Sequence, residues 1–155
     1  MLLGIDLGGT KIEGIVLKSR ENPEEVIRHR VNTEEEKGYS QVISNIKSLV
    51  DYIERNINHK FSKLGIGTPG TIDPESGLLK NSNSQCLNGM PIQKDLSKVL
   101  NKSILIQNDA NCFALAETLL GSVKDKHPNA KNVFGIIMGT GVGGGVIIDG
   151  KTVYG

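Results

Sequence analysis

Apolar residues crowd the start of the chain. Leu2-Leu3-Gly4-Ile5-Asp6-Leu7 predicts a buried strand, and Gly8-Gly9 a tight turn after it. Positions 12–17 predict a second strand, so the pair is a hairpin bent at Gly8-Gly9-Thr10. Positions 26–31 alternate, with Arg28 and Arg30 on the polar side, and predict a third strand with one wet face. The period then changes. Val42, Ile43, Ile46, Leu49, Val50, Ile53 and Ile57 fall on one stripe of a helix. Leu64-Gly65-Ile66-Gly67 predicts a strand running into a Thr68-Pro69-Gly70 turn, with a further turn over 73–77. Pro91 suits a first helical residue, followed by the stripe Ile92, Leu96, Val99 and Leu100. Ile104-Leu105-Ile106 predicts a buried strand. Positions 110–120 are apolar nearly all round and predict a buried helix closed by Gly121. Positions 124–131 are polar, contain Pro128 and predict a loop or linker. Positions 134–138 and 146–148 predict two strands around a second glycine-rich bend.

The order is three strands, then alternating helices and strands, then strands again. This is an α/β pattern whose opening meander is antiparallel within a mixed sheet. A doubly wound dinucleotide fold would place a helix after the first strand. The stretch from Gly4-Ile5-Asp6-Leu7-Gly8 to Gly14-Ile15-Val16-Leu17 can be laid on that from Gly135-Ile136-Ile137-Met138-Gly139 to Gly145-Val146-Ile147-Ile148. This repeat predicts a first domain over 1–121, a linker over 122–131, and the first hairpin of a second, related domain over 132–155.

Composition narrows the function. Lys and Arg number 18 against 17 Asp and Glu, a net charge of +1, which gives no footprint for nucleic acid or a membrane surface. Aromatic residues are 4% and Trp is absent, so a base-stacking platform is not expected. No apolar run approaches the ~18 residues of a membrane-spanning helix. Cys86 and Cys112 form no CxxC pair and suit reduced thiols in a cytoplasmic protein. His29, His59 and His127 sit among polar residues and are expected at the surface. Glu34-Glu35-Glu36 is expected in a solvated loop or at a helix start.

Four segments carry chemistry. In Asp6-Leu7-Gly8-Gly9-Thr10-Lys11 the glycines leave backbone N–H groups that attract phosphate oxygens, and Thr10 adds a hydroxyl. Asp6, at the end of a buried strand, would suit a hydrated Mg²⁺ on a nucleotide, or equally a hairpin turn bonded to nearby backbone. Gly139-Thr140-Gly141-Val142-Gly143-Gly144-Gly145 demands close approach to the main chain. It lacks the Gly-Lys-Ser/Thr of a P-loop, and a strand follows it, so it suits a phosphate grip better than a dinucleotide site. Asn108-Asp109-Ala110-Asn111 lies where a strand passes into a helix. Asp109 suits a helix cap, and it also suits the carboxylate that accepts the proton of an attacking hydroxyl in phosphoryl transfer. Gly65-Ile66-Gly67-Thr68-Pro69-Gly70, with Asn81-Ser82-Asn83-Ser84 and Leu87-Asn88-Gly89, offers amides and hydroxyls to a polyhydroxylated ligand, or serves as ordinary turn chemistry.

Together these segments resemble the ROK family of repressors, unassigned reading frames and sugar kinases. Asp6 to Lys11 resembles its first phosphate motif and Gly65 to Gly70 its GxGxPG segment. Asn108 to Cys112 resembles its catalytic NDAN segment, and Gly139 to Gly145 its second phosphate motif. The resemblance implies an actin-like, ribonuclease-H-like ATPase fold. It implies ATP- and Mg²⁺-dependent phosphorylation of a hexose of the fructose, mannose or glucose type, with Asp109 as general base. Asn108, Asn83, Gly67 and Gly70 would bind the sugar. Gly8, Gly9, Thr10 and Lys11 would hold nucleotide phosphates with Gly139, Thr140 and Gly141, and Asp6 the metal through water. A homodimer is implied for a full-length member. The segment from Lys80 to Pro91 is most similar to fructokinase and mannokinase members, and Asn108 to Leu115 equally to N-acetylglucosamine kinases. The family's Glu-x-Gly-His sugar segment and Cys-rich zinc site would lie beyond Gly155. The chain is therefore expected to phosphorylate weakly or not at all alone. The alternatives are a non-catalytic sugar- or nucleotide-binding piece and a ROK-type regulator.

Overall fold

In the computed structural model, which describes residues 1–138 and 142–153, the opening hairpin sorts its side chains by alternation. Strand β1 (Leu2–Leu7) pairs antiparallel with β2 (Lys11–Leu17), setting Leu3 opposite Val16, Ile5 opposite Gly14 and Leu7 opposite Ile12. These residues make one buried face. Strand β3 (Glu25–Asn32) pairs antiparallel with β2 and keeps Arg28 and Arg30 in water, where both meet Glu13. Strand β4 (Lys63–Thr68) runs parallel to β1, with Ile66 beside Ile5. With β7 (Ser103–Asn108) the sheet reads β3-β2-β1-β4-β7, the mixed sheet with an antiparallel opening that the residue pattern predicts.

Helix α1 (Tyr39–Ile57) packs its predicted stripe on this sheet, burying Val42, Ile43, Ile46, Leu49, Val50 and Ile53. It comes close enough that a Cβ on Gly14 would lie 2.5 Å from Ile53 Cδ1, so β2 needs a glycine there. One charged residue, Glu54, is buried on the same helix at 3% exposure. Its carboxylate accepts from Lys102 at 2.7 Å, Lys60 at 2.8 Å and the Phe61 N–H at 2.9 Å. Lys102 also donates to the Phe61 carbonyl at 2.8 Å, which ties the end of α1 to the start of β7. Helix α2 (Ile92–Leu100) begins one residue later than predicted, with Pro91 at its N-cap, a shift within the fraying of a helix end. Short strands β5 (Thr71–Ile72) and β6 (Leu79–Lys80) flank the predicted turn over 73–77; two residues each are too few to leave a periodic signal.

The chain packs as two units, Met1–Gln107 and Asn108–Gly155. In the second unit, α3 (Asp109–Leu119) lies against the antiparallel hairpin β8 (Asn132–Met138) and β9 (Val142–Ile148), with β10 (Lys151–Thr152) on the outer edge of β9. A short helix, α4 (Ser122–Lys126), occupies part of the expected linker; Ser122 donates through its N–H and hydroxyl to Glu117. The hairpin repeats the opening one in kind but not in length. Leu7 pairs Ile12 at the first bend, whereas Met138 pairs Val142 at the second, one residue shorter.

Helix α3 departs from expectation. Only Ala110 and Ala114 are buried on it, while Phe113 and Leu120 beyond its end are exposed. The reason is the one-sided packing: α3 covers a single face of the hairpin. The opposite face carries Phe134, Ile136, Met138, Val142, Val146 and Ile148, all exposed. No helix among the described residues is long and apolar enough to cross a membrane.

Candidate functional site

The first unit gathers most of the candidate residues at the carboxyl ends of β1 and β4. Asp6 and Gly67 sit opposite each other in the parallel register. The bend after β1 is tight: the Gly8 N–H donates to the Lys11 carbonyl at 3.0 Å, and a Cβ on Gly8 would come within 3.0 Å of that same oxygen. One of the expected phosphate donors is therefore already used. Thr33, fully buried, clamps the bend from outside. Its hydroxyl donates to the Gly8 carbonyl at 2.7 Å and its N–H to the Thr10 carbonyl at 3.0 Å. Thr10 is exposed, and the Lys11 ammonium donates to Asn32 across β2 and β3. Asp6 is exposed, on the face of β1 opposite Leu3, Ile5 and Leu7.

Gly70 joins β4 to the Asn83 loop. Its φ is +83°, and an added Cβ would lie 2.4 Å from the Lys80 carbonyl oxygen and 2.8 Å from the Ser82 nitrogen. The turn therefore presses on Lys80 to Ser82 with no room for a side chain. Gly70→Ala is expected to destabilise the first unit by about 2 kcal/mol, through the positive φ and the overlap together. Thermal unfolding followed by circular dichroism checks this; an unchanged midpoint contradicts it. Asn88 holds the same loop from the far side. Its Oδ1 accepts from the Ser82 N–H and its Nδ2 donates to the Ser82 carbonyl, both at 2.9 Å. Asn88 is thus a loop brace. Asn83 lines an open groove of about 600 Å³ with Lys80, Asn81, Ser82, Gln85 and Asn88. The amides and hydroxyls of that lining, set beside Leu78 and Leu79, offer both donors and acceptors to a polyhydroxylated ligand.

The second unit holds Asn108 and Asp109. The capping role falls to Asn108, whose Oδ1 accepts from the Asn111 N–H at 3.2 Å. Asp109 is the first residue of α3, and its Oδ1 accepts from the Ala110 N–H at 2.8 Å. The glycine-rich bend divides in two. Gly143 and Gly145 serve helix packing: a Cβ on Gly145 would lie 2.4 Å from the Ala110 carbonyl oxygen, and one on Gly143 would lie 3.2 Å from the Ala110 Cβ. Gly139, Thr140 and Gly141 lie outside the described residues.

Sequence reasoning missed Thr33, Ser84 and Glu35, which surround the first bend. The signal available for Thr33 was weak, a single small polar residue after an alternating strand. In the sequence Ser84 stands only in a polar run and Glu35 only in a charge run.

An antiparallel meander leading into parallel strands is the strand order of an actin-like ATPase fold. The chain belongs to the ROK family, whose model matches residues 2–155. It is 40% identical over 155 residues to the N-acetyl-D-glucosamine kinase of Aliivibrio fischeri, covering all of this chain and 48% of the relative. Among solved structures it resembles the ROK hexokinase of Thermus thermophilus, with a TM-score of 0.82 and 29% identity over 99% of this chain and 49% of that one. It also resembles a ROK family glucokinase from Streptomyces griseus in complex with glucose and AMPPNP, with a TM-score of 0.80 and 25% identity over 99% of this chain and 46% of that one. The chain thus spans about half the length of the relatives it matches.

Proposed function

We propose that this chain is the nucleotide- and sugar-binding front half of an ATP-dependent hexose kinase. The observation that carries the reading lies in the first unit. The Gly8-Gly9-Thr10 bend, the Asp6–Gly67 register pair and the Gly70 turn pressed on the Asn83 loop lie at one end of the sheet, where the neighbouring parallel strands β1 and β4 finish. In this reading the Asn83 amide and the backbone of Gly67 and Gly70 orient the sugar. With the Gly8 N–H engaged, the N–H groups of Gly9 and Thr10 receive phosphate oxygens, together with Lys11 and with Gly139, Thr140 and Gly141. Asp6 is exposed at a strand end, where a carboxylate can accept from water bound to a nucleotide magnesium ion. That ion supplies charge neutralisation on the transferring phosphate. Asn108 helps bind the sugar, and Asp109 accepts the proton of the attacking hydroxyl.

Among hexoses, the names of the curated relatives support N-acetyl-D-glucosamine first, ahead of the fructose, mannose and glucose types suggested by the segment from Lys80 to Pro91. The test is titration calorimetry of the chain with ATP and with N-acetyl-D-glucosamine, fructose, mannose and glucose in turn. Turnover is then measured after the C-terminal half of a curated relative is appended. Binding of ATP and one preferred hexose, with phosphorylation in the extended protein, is the expected result. Absence of hexose binding in both forms would overturn the reading. ATP binding without any hexose effect would favour a nucleotide-binding module instead.

A further inference from the structure

Thr33, one position past the end of β3 and fully buried, gives both of its donors to the first glycine bend. Its hydroxyl meets the Gly8 carbonyl at 2.7 Å and its N–H the Thr10 carbonyl at 3.0 Å. Its own carbonyl accepts from Asn45 Nδ2 at 3.1 Å, and so does the Asn32 carbonyl. Asn45 belongs to α1, whose apolar stripe is packed into the core. The bend is thus tied through one threonine to a core helix.

A trans peptide points its C=O and its N–H in opposite directions, and the described residues hold no cis peptide. The oxygen of the Gly8–Gly9 peptide is turned toward Thr33, so the Gly9 N–H of that peptide points away from it. The oxygen of the Thr10–Lys11 peptide is held by the second bond, and the Gly9–Thr10 peptide is strung between two fixed neighbours. Neither Gly9 nor Thr10 donates its N–H to an acceptor among the described residues. Gly9 is half-buried and Thr10 exposed, so a ligand can reach them. A peptide between two glycines turns easily when nothing holds it. Turned over, it would present the Gly8 oxygen in place of the Gly9 N–H, and an anion would be repelled. Donors already held in one direction receive an anion without first being ordered.

We propose that Thr33 is a positioning residue of the nucleotide site. It touches no ligand; it holds the Gly8–Gly9 peptide so that the Gly9 N–H meets a phosphate oxygen. This rests on the kinase reading above and adds to it a residue that lies outside the glycine motif.

Titration calorimetry of the chain with ATP, inorganic tripolyphosphate and the preferred hexose tests this on wild type, Thr33→Val and Thr33→Ser. Valine keeps the shape and loses the hydroxyl, whereas serine keeps the hydroxyl. Thr33→Val is expected to weaken ATP and tripolyphosphate binding by about tenfold or more and to leave hexose binding within about twofold. Thr33→Ser should stay within about threefold of wild type for all three. Amide NMR of wild type needs no variant: the Gly9 N–H resonance should move downfield as ATP binds. A Gly9 resonance unmoved by bound ATP would overturn the role. Equal loss toward ATP and hexose in Thr33→Val would mean a merely structural residue and overturn it too. ATP affinity kept in Thr33→Val would overturn the role and leave the kinase reading standing. Wild type that binds hexose but not ATP would also remove the role, and wild type that binds neither would overturn the kinase reading with it.

Discussion

Asp109→Asn, in the chain extended by the C-terminal half of a curated relative, is expected to lower kcat by a factor of about 10²–10⁴. Sugar affinity should change by less than about threefold. The asparagine oxygen can still accept from the Ala110 N–H as Asp109 Oδ1 does, and the helix cap belongs to Asn108, so the fold has no reason to suffer. What the amide cannot do is take the proton of the attacking hydroxyl. In a loose phosphoryl-transfer transition state that proton leaves late, so a weak base suffices but an amide does not. Pre-steady-state and steady-state rates with the preferred hexose check the split. A variant that keeps its kcat would remove Asp109 from the chemistry.

The second large effect is structural. Glu54→Ala is expected to destabilise the first unit by roughly 3–5 kcal/mol, because it strands Lys102 with its charge buried. Glu54→Gln should cost less, since its carbonyl still accepts from Phe61. Burial alone would push the Glu54 carboxyl up. Hydrogen bonds from Lys102, Lys60 and the Phe61 N–H outweigh that and hold it at about 2, against an ordinary 4.5. The sign follows from the folded value being the lower one. The contribution is fully present above about pH 4.5 and is lost as pH falls toward 2. Urea unfolding between pH 6 and pH 2 should show this loss in wild type and a flatter profile in Glu54→Gln. Parallel profiles would contradict the assignment.

Much of the fold is legible in the residue pattern because its signals are local. Alternation places Leu3, Ile5 and Leu7 on one face, and the stripe from Val42 to Ile57 sets α1 on it. What the pattern hides comes from distant packing. Helix α3 reads as buried all round because its residues are apolar, yet its environment is one-sided. Gly143 and Gly145 look like ligand glycines, but the helix presses on them. Asp6 looks buried because its strand is, while its own side faces out. For the site, glycine bends and Asn-rich loops announce themselves by composition. Thr33 does not, since its bond depends on a segment folding back 25 positions to Gly8.

The uncovered face of the β8–β9 hairpin bears on how this protein is recovered. In this chain six apolar side chains stand exposed on β8 and β9 of a three-stranded ladder. On dilution from denaturant, folding of each unit is first order in protein, whereas association through such a ladder is second order. Yield then becomes a race decided by concentration, and dilute or slow addition favours the monomer.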